Sequence, residues 1–188
     1  SDYEFRLEYE NQFEGEDHRL TADLDLDFSR EREQSDLEET IQEGTTDPLF
    51  QRTDNQEEER DMRFQADYIR PVGDNGRFEA GVRSSVEWMD NSFAVEELQN
   101  GTWQPLEEAF NDNFLYYENV NAAYAIWGSD HEKYSYQAGL RAEHTNIRTE
   151  LKRTGQENDR SYVDLFPSLF FTYKFNDMQS LQVSYSRR

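Results

Sequence analysis

Apolar and polar residues alternate with a period of two along almost the whole chain, and that pattern leaves few folds open. A period of two puts one set of side chains on each face of an extended strand. A slip of one residue would exchange the faces, so wherever one face is apolar the register is strongly specified. Near the start Tyr3, Phe5, Leu7 and Tyr9 alternate with Asp2, Glu4, Arg6 and Glu8. Leu20, Ala22, Leu24, Leu26 and Phe28 then alternate with Thr21, Asp23, Asp25 and Asp27. Met62, Phe64, Ala66 and Tyr68 oppose Arg63, Gln65 and Asp67, and Phe78, Ala80, Val82, Val86 and Trp88 oppose Arg77, Glu79, Arg83 and Glu87. Asn113 to Trp127 is more apolar on both faces, with Asn119 and Asn121 expected on the polar one. Tyr134, Tyr136, Ala138, Leu140 and Ala142 resume the alternation, followed by Val163 to Phe175 and by Leu181, Val183 and Tyr185.

The pattern predicts an all-β fold, an antiparallel up-and-down meander of about eight strands in a single unit over 1–188. The expected strands are 2–10, 18–30, 60–71, 77–90, 113–127, 133–149, 161–175 and 179–188. Each is close to the ~9–11 residues with which a tilted strand crosses a bilayer. The connections sort into two kinds. Those at 11–17, 128–132 and 176–179 are short, and Gly73-Asp74-Asn75-Gly76 is a tight hairpin signal. Loops 31–59 and 91–112 are expected to be long, and 151–160 intermediate. Short turns on one rim and long connections on the other are how outer-membrane barrels are built. Tyr68, Phe78, Trp127, Tyr134, Tyr136, Tyr173 and Phe175 cluster at the short-turn ends, where an aromatic girdle would sit at headgroup depth.

Charge and composition close off other classes. With 41 acidic residues against 19 basic the net charge is −22, so a basic surface for nucleic acid is not expected. The absence of cysteine removes disulfides, thiolate metal sites and a cysteine nucleophile. Aromatic residues at 14% argue against simple acidic disorder. The longest apolar stretch, Ala122 to Trp127, is far short of a membrane helix of ~20 residues, so any crossing is made by strands.

No motif carries covalent chemistry, and neither enzymatic activity nor a cofactor is expected. Asp23, Asp25 and Asp27 resemble the start of an EF-hand loop, but Phe28 and Gln34 stand where its turn glycine and bidentate glutamate belong. On a strand the three carboxylates line one face, and a cation or a lysine or arginine across the sheet would relieve their repulsion. His18, His131 and His144 are scattered without ligand spacing, and Asn100-Gly101-Thr102 matches a glycosylation triplet. Residues 31–59 hold eleven acidic and two basic residues and read as a solvated loop. An acidic surface throughout would also suit a salt-adapted source.

The last third carries a family resemblance. Asn113 to Tyr124 (NFLYYENVNAAY) resembles a hairpin-opening strand of TonB-dependent receptors of the Bacteroidetes type. Gly139 to Thr145 (GLRAEHT) is similar to their GLRxExT strand, Leu165 to Leu169 to their LFPSL and Ser184 to Arg188 to their SYSRR. Four motifs stand in order over about 75 residues. The resemblance implies a barrel of about 22 strands enclosing a plug domain. It implies uptake of a bulky nutrient (small molecule, glycan or peptide) across the Gram-negative outer membrane, energised by the inner-membrane TonB complex. Its partners would be outer-membrane lipid, the plug of the same parent chain and, through the plug, TonB. The chain is then expected to be a segment of that barrel, and a lone segment to rearrange or close on itself.

In this reading Asp23, Asp25, Asp27, Arg63, Asp67, Arg83, Glu87, Arg141 and Glu143 line a wide lumen and are the candidate ligand-binding residues. Gly81 and Gly139 mark close approach on that side, and Pro167 is expected to force a bulge. The alternation also permits the reverse, a soluble eight-stranded barrel with the apolar face turned inward around a small apolar ligand.

Overall fold

A computed structural model describes residues 1–15, 17–39, 49–106 and 112–187. The strands are β1 (Asp2–Gln12), β2 (Arg19–Glu39), β3 (Leu49–Val72), β4 (Gly76–Gln99), β5 (Thr102–Pro105), β6 (Asp112–Asp130), β7 (Tyr134–Leu151), β8 (Gln156–Asn176) and β9 (Gln179–Ser186). They form one antiparallel sheet in the order β1-β2-β3-β4-β6-β7-β8-β9, with β5 pairing back on the end of β4. Chain order and sheet order coincide apart from β5, so the fold is the expected meander.

Register assigns each residue to a face. Leu24 stands between Leu7 and Phe64, and Val82 between Ala66 and Ala123, so the apolar sets align. Asn119 and Asn121 are a correction to the alternation reading. They pair with Val86 and Ser84 on the apolar face, while Glu118, Val120 and Ala122 take the polar one. The error arose because both sets of Asn113 to Trp127 are rich in apolar residues, so the two faces look alike until a neighbouring strand is placed.

The strands run well past their expected ends. Much of 31–59 and 91–112 is ladder rather than loop; 40–48 and 107–111 lie outside the described residues. On β2 and β3 the alternation fades because both faces become polar; at the end of β4 Phe93, Ala94 and Val95 put apolar residues on both, and neither case leaves one face to record the period. Side chains across the strands hold the extension together. Arg32 donates to Asp54 at 2.9 Å, Ser35 and Thr53 hydroxyls meet at 2.6 Å, and Arg52 donates to Glu96 at 2.5 Å. The guanidinium of Arg32 holds the half-buried Asp54 carboxyl down at about 2. Asn100 (φ 52°) and Gly101 (φ 79°) form the two-residue turn joining β4 to β5, so the triplet that matched a glycosylation acceptor is a hairpin corner.

Three further expectations meet the structure. Pro167 makes no bulge and keeps regular register with Leu140; the irregularity lies at Lys174–Asn176. The Pro167 carbonyl accepts from Arg187, so its backbone faces the side where β9 ends, and the missing N–H removes no bond to β7. The sheet does not close: among the described residues β1 pairs with β2 alone and β9 with β8 alone. Joining β1 to β9 would close a barrel of eight strands and crowd the charged face into an interior that small barrels fill with side chains. The glycines do mark close approach. A Cβ on Gly81 would meet Tyr124 Cε1 at 2.5 Å and the Ala66 carbonyl at 2.8 Å, and one on Gly139 would meet Ser168 Oγ at 2.8 Å.

The apolar band crosses the strands obliquely. On β2 it spans Leu20 to Phe28, and through the ladder these ends align with Ala80 and Trp88 of β4. On β7 it spans Tyr134 to Ala142. Ala142 aligns with Val82, and Tyr134 lies two residues beyond the Gly76–Ser129 pair. Both edges therefore slide by six residues over the four steps from β2 to β7. At ~3.3 Å per residue and ~4.8 Å per strand this drift is a tilt of about 45°. Closed barrels tilt their strands by about 35–45°.

Candidate functional site: the polar face of the sheet

All nine residues expected to line a lumen fall on one face. Asp23, Asp25 and Asp27 of β2 stand beside Gln65, Arg63 and Asp61 of β3, and Gln65 in turn aligns with Arg83. Asp67, Gly81, Tyr124 and Arg141 form one row, and Glu87 and Glu143 share the face on β4 and β7. The carboxylate stripe finds the arginine partners its spacing called for. Arg6 donates to Asp25 at 2.6 Å from one side, and Arg63 to Asp27 at 3.1 Å from the other. Arg141 donates to Glu143 at 2.9 Å along its own strand.

Register also assembles what the sequence reading missed. Glu4, Asp27, Asp61, Glu87 and Glu118 stand directly opposite one another across five strands. Three of these, Glu4, Asp61 and Glu118, were not candidates, because nothing short of register reveals a row that crosses strands. Among the described residues no group of carboxylates and histidines has the arrangement to hold a metal ion.

The same face changes character at the β4–β6 boundary. On β6 to β8 it carries Phe114, Tyr116, Val120, Ile126, Ile147, Tyr162, Phe166 and Phe170. The signal was present as the doubly apolar run Asn113 to Trp127. Tyr124 joins the two parts: it lies across Gly81 and its hydroxyl donates to Asp67 at 2.5 Å. A side chain on residue 81 would occupy the path of that ring.

The opposite face is a lipid-type surface. Its large apolar side chains stand open, from Tyr3 at 70% to Leu181 at 52%. The aromatic residues at the short-turn end share it: Trp127 pairs with Phe78 and directs its Nε1 at the Tyr136 hydroxyl 3.5 Å away. His18, stacked on Phe13, shares a hydrogen bond of 2.9 Å with the Tyr68 hydroxyl at the same end. Phe28, Trp88 and Tyr117 stand at the other edge. The ten residue steps from Phe78 to Trp88, at ~3.4 Å each and tilted at about 45°, rise by about 24 Å, close to the apolar band of ~25 Å on outer-membrane barrels.

The model of the outer membrane protein beta-barrel family matches residues 11–188. The chain belongs to that family. No curated protein matches it. Among solved structures the sheet is similar to the crystal structure of the ferric citrate transporter FecA in the unliganded form, with a TM-score of 0.60 and 16% sequence identity. That alignment covers 98% of this chain and 27% of the transporter chain, so the chain spans about a quarter of its length. At this identity the likeness concerns fold alone. The family places the sheet in the outer membrane.

Proposed function

We propose that the sheet is part of the wall of a TonB-dependent uptake barrel, and that its polar face borders the plugged lumen through which a bulky nutrient passes. The supporting observation is that the sheet is open at β1 and β9 yet keeps the tilt of a closed barrel, over an apolar band of bilayer height. A wall of this kind belongs to a barrel with more strands, wide enough to hold a plug. The four motifs between Asn113 and Arg188 agree with a receptor of the TonB-dependent class.

In this role the protein does no covalent chemistry. Asp23, Asp25, Asp27, Arg63, Asp67, Arg83, Glu87, Arg141 and Glu143 hydrate the wall, contact the plug and meet the substrate. The hairpins of β2–β3 and β4–β5 rise past the bilayer edge, where substrate is first met. The test is uptake by cells expressing the protein, with and without a working inner-membrane TonB complex. Accumulation of a bulky nutrient that requires both supports the reading. Uptake indifferent to TonB would reduce the protein to a passive or structural barrel.

A further inference from the structure

We propose that Arg30 and Arg60, with Trp88 beside them, bind the phosphate of an anionic lipid in the leaflet at the long-hairpin end of the sheet. The apolar band ends at Phe28 on β2 and at Met62 on β3. The next residue on the same side is an arginine on both strands, Arg30 and Arg60. Through the ladder Arg60 aligns with Trp88, Tyr117 and Arg148 of β7, but Arg148 has two carboxylates of its own, Glu157 at 3.0 Å and Asp159 at 4.0 Å. Among the described residues, two guanidiniums sharing one carboxylate are found at Arg30 and Arg60, in a chain whose net charge is −22.

The local charge balance favours an anion. Glu58 lies between the two, 3.2 Å from Arg30 Nε and 3.8 Å from Arg60 Nη2, so one carboxylate serves two guanidiniums. The nearby acids on this side are engaged elsewhere, Asp90 by Lys152 at 3.3 Å and Asp54 by Arg32. The Arg30 and Arg60 side chains are 66% and 57% exposed, and each guanidinium has five N–H donors, more than Glu58 can accept from. The Arg60 guanidinium stands 4.7 Å over the Trp88 ring, which fixes it at the depth where an indole meets headgroups. A planar fork at phosphate depth matches phosphate oxygens in pairs. Most other surface of so acidic a chain repels anions, so a positive spot at the bilayer edge fits a headgroup phosphate.

The experiment uses the protein purified from outer membranes in mild detergent and stripped of lipid. It is titrated with an acylated, bisphosphorylated glucosamine disaccharide lipid and with the same lipid dephosphorylated, and bound lipid is counted by native mass spectrometry. The wild type is expected to prefer the phosphorylated lipid by about ten-fold or more, and the double variant Arg30→Gln/Arg60→Gln to lose that preference. Glu58→Gln frees both guanidiniums and is expected to bind the phosphorylated lipid more tightly. Arg77→Gln, on the opposite face, is expected to leave binding unchanged. Equal binding of the two lipids by the wild type, or a preference that survives the double variant, overturns the proposal. Should the double variant fail to fold, Glu58→Gln decides: weaker or unchanged binding counts against the clamp.

Discussion

On β1 to β4 the polar face is a wall of carboxylates tied down by arginines; on β6 to β8 the same face sets aromatic and aliphatic side chains among polar ones such as Arg141, Glu143 and Asp164. The first part is ordered by pairs such as Arg6–Asp25 and Arg63–Asp27, which act through charge and weaken in salt. The second carries rings such as Phe166, which lies 5.9 Å below the Arg187 guanidinium, and Phe170, an uncharged side chain for which salt matters little. Behind both parts the opposite face is apolar, broken by polar residues such as Ser84, Asn119 and Asn121. The apolar face fixes strand count, register and tilt, because any slip would turn it to water. The variable face is free to differ, and in a lumen wall it is the one that meets cargo.

The largest effect expected concerns the two faces themselves, since the comparison assumes which one is wet. The chain has no cysteine, so single cysteines are clean reporters. Asp25→Cys should react with a water-soluble maleimide in membranes at least about ten-fold faster than its neighbour Leu24→Cys, whose side chain would lie in lipid. A reversed order would turn the sheet inside out and revive the soluble barrel with an apolar interior.

Next in size is the seam where the two parts meet. Gly81→Ala places a methyl 2.5 Å from the Tyr124 ring and 2.8 Å from the Ala66 carbonyl, and the backbone cannot swing aside. We expect a loss of about 1–3 kcal/mol in unfolding free energy, the range of an overpacked site. Gly139→Ala, one row further, meets the Ser168 hydroxyl at 2.8 Å and Ile126 Cγ1 at 3.1 Å instead of a ring and a backbone carbonyl. The hydroxyl can rotate away and the Ile126 contact is the longer one, so its cost should be clearly smaller. Equal losses would show that the crossing of Tyr124 to Asp67 contributes nothing particular.

Within the acidic part the row from Glu4 to Glu118 should be mildly unfavourable, because like charges directly opposite repel. Asp61→Asn, at its centre, is expected to raise stability by about 0.2–1 kcal/mol at low salt and by less in molar salt. A loss of stability at every salt concentration would mean that Asp61 is held by favourable partners, and the row would not be a strained feature.

How much of this was legible depended on which face recorded it. Wherever one face was apolar, as at Leu20 to Phe28 or Tyr134 to Ala142, alternation located the strand, its faces and the candidate wall residues. Beyond Phe28 both faces turn polar, so the ladder of Arg32 with Asp54 was read as loop; at Asn119 and Asn121 both are apolar enough that the faces were exchanged. Rows across strands, including the Glu4 to Glu118 series and the seam at Gly81, exist only through register. No single strand contains them. Pro167 was misjudged for a related reason, since a proline disturbs only the side its N–H would face, and that side is set by the neighbouring strand.

The smallest effect tests the extension past the bilayer edge, where charge alone joins the strands. The Asp54 carboxyl falls from its ordinary 3.8 to about 2, with the Arg32 hydrogen bond the largest cause. A depressed carboxyl contributes stability that is fully present above the unfolded value and is lost as pH falls through the folded one. Comparing wild type with Asp54→Asn, the difference in unfolding midpoint should therefore be flat from neutral pH down to about 4 and shrink between about 4 and 2. It should stay small throughout, because Arg32 is open to water and Asp54 only half-buried, and a pair near the surface is weak. It should also fade in molar salt, whereas a difference between wild type and Phe170→Leu should follow neither pH nor salt. A difference that shrank well above pH 4 would place the sensitive group elsewhere, and the β2–β3 hairpin would then owe its length to backbone pairing rather than to its ion pairs.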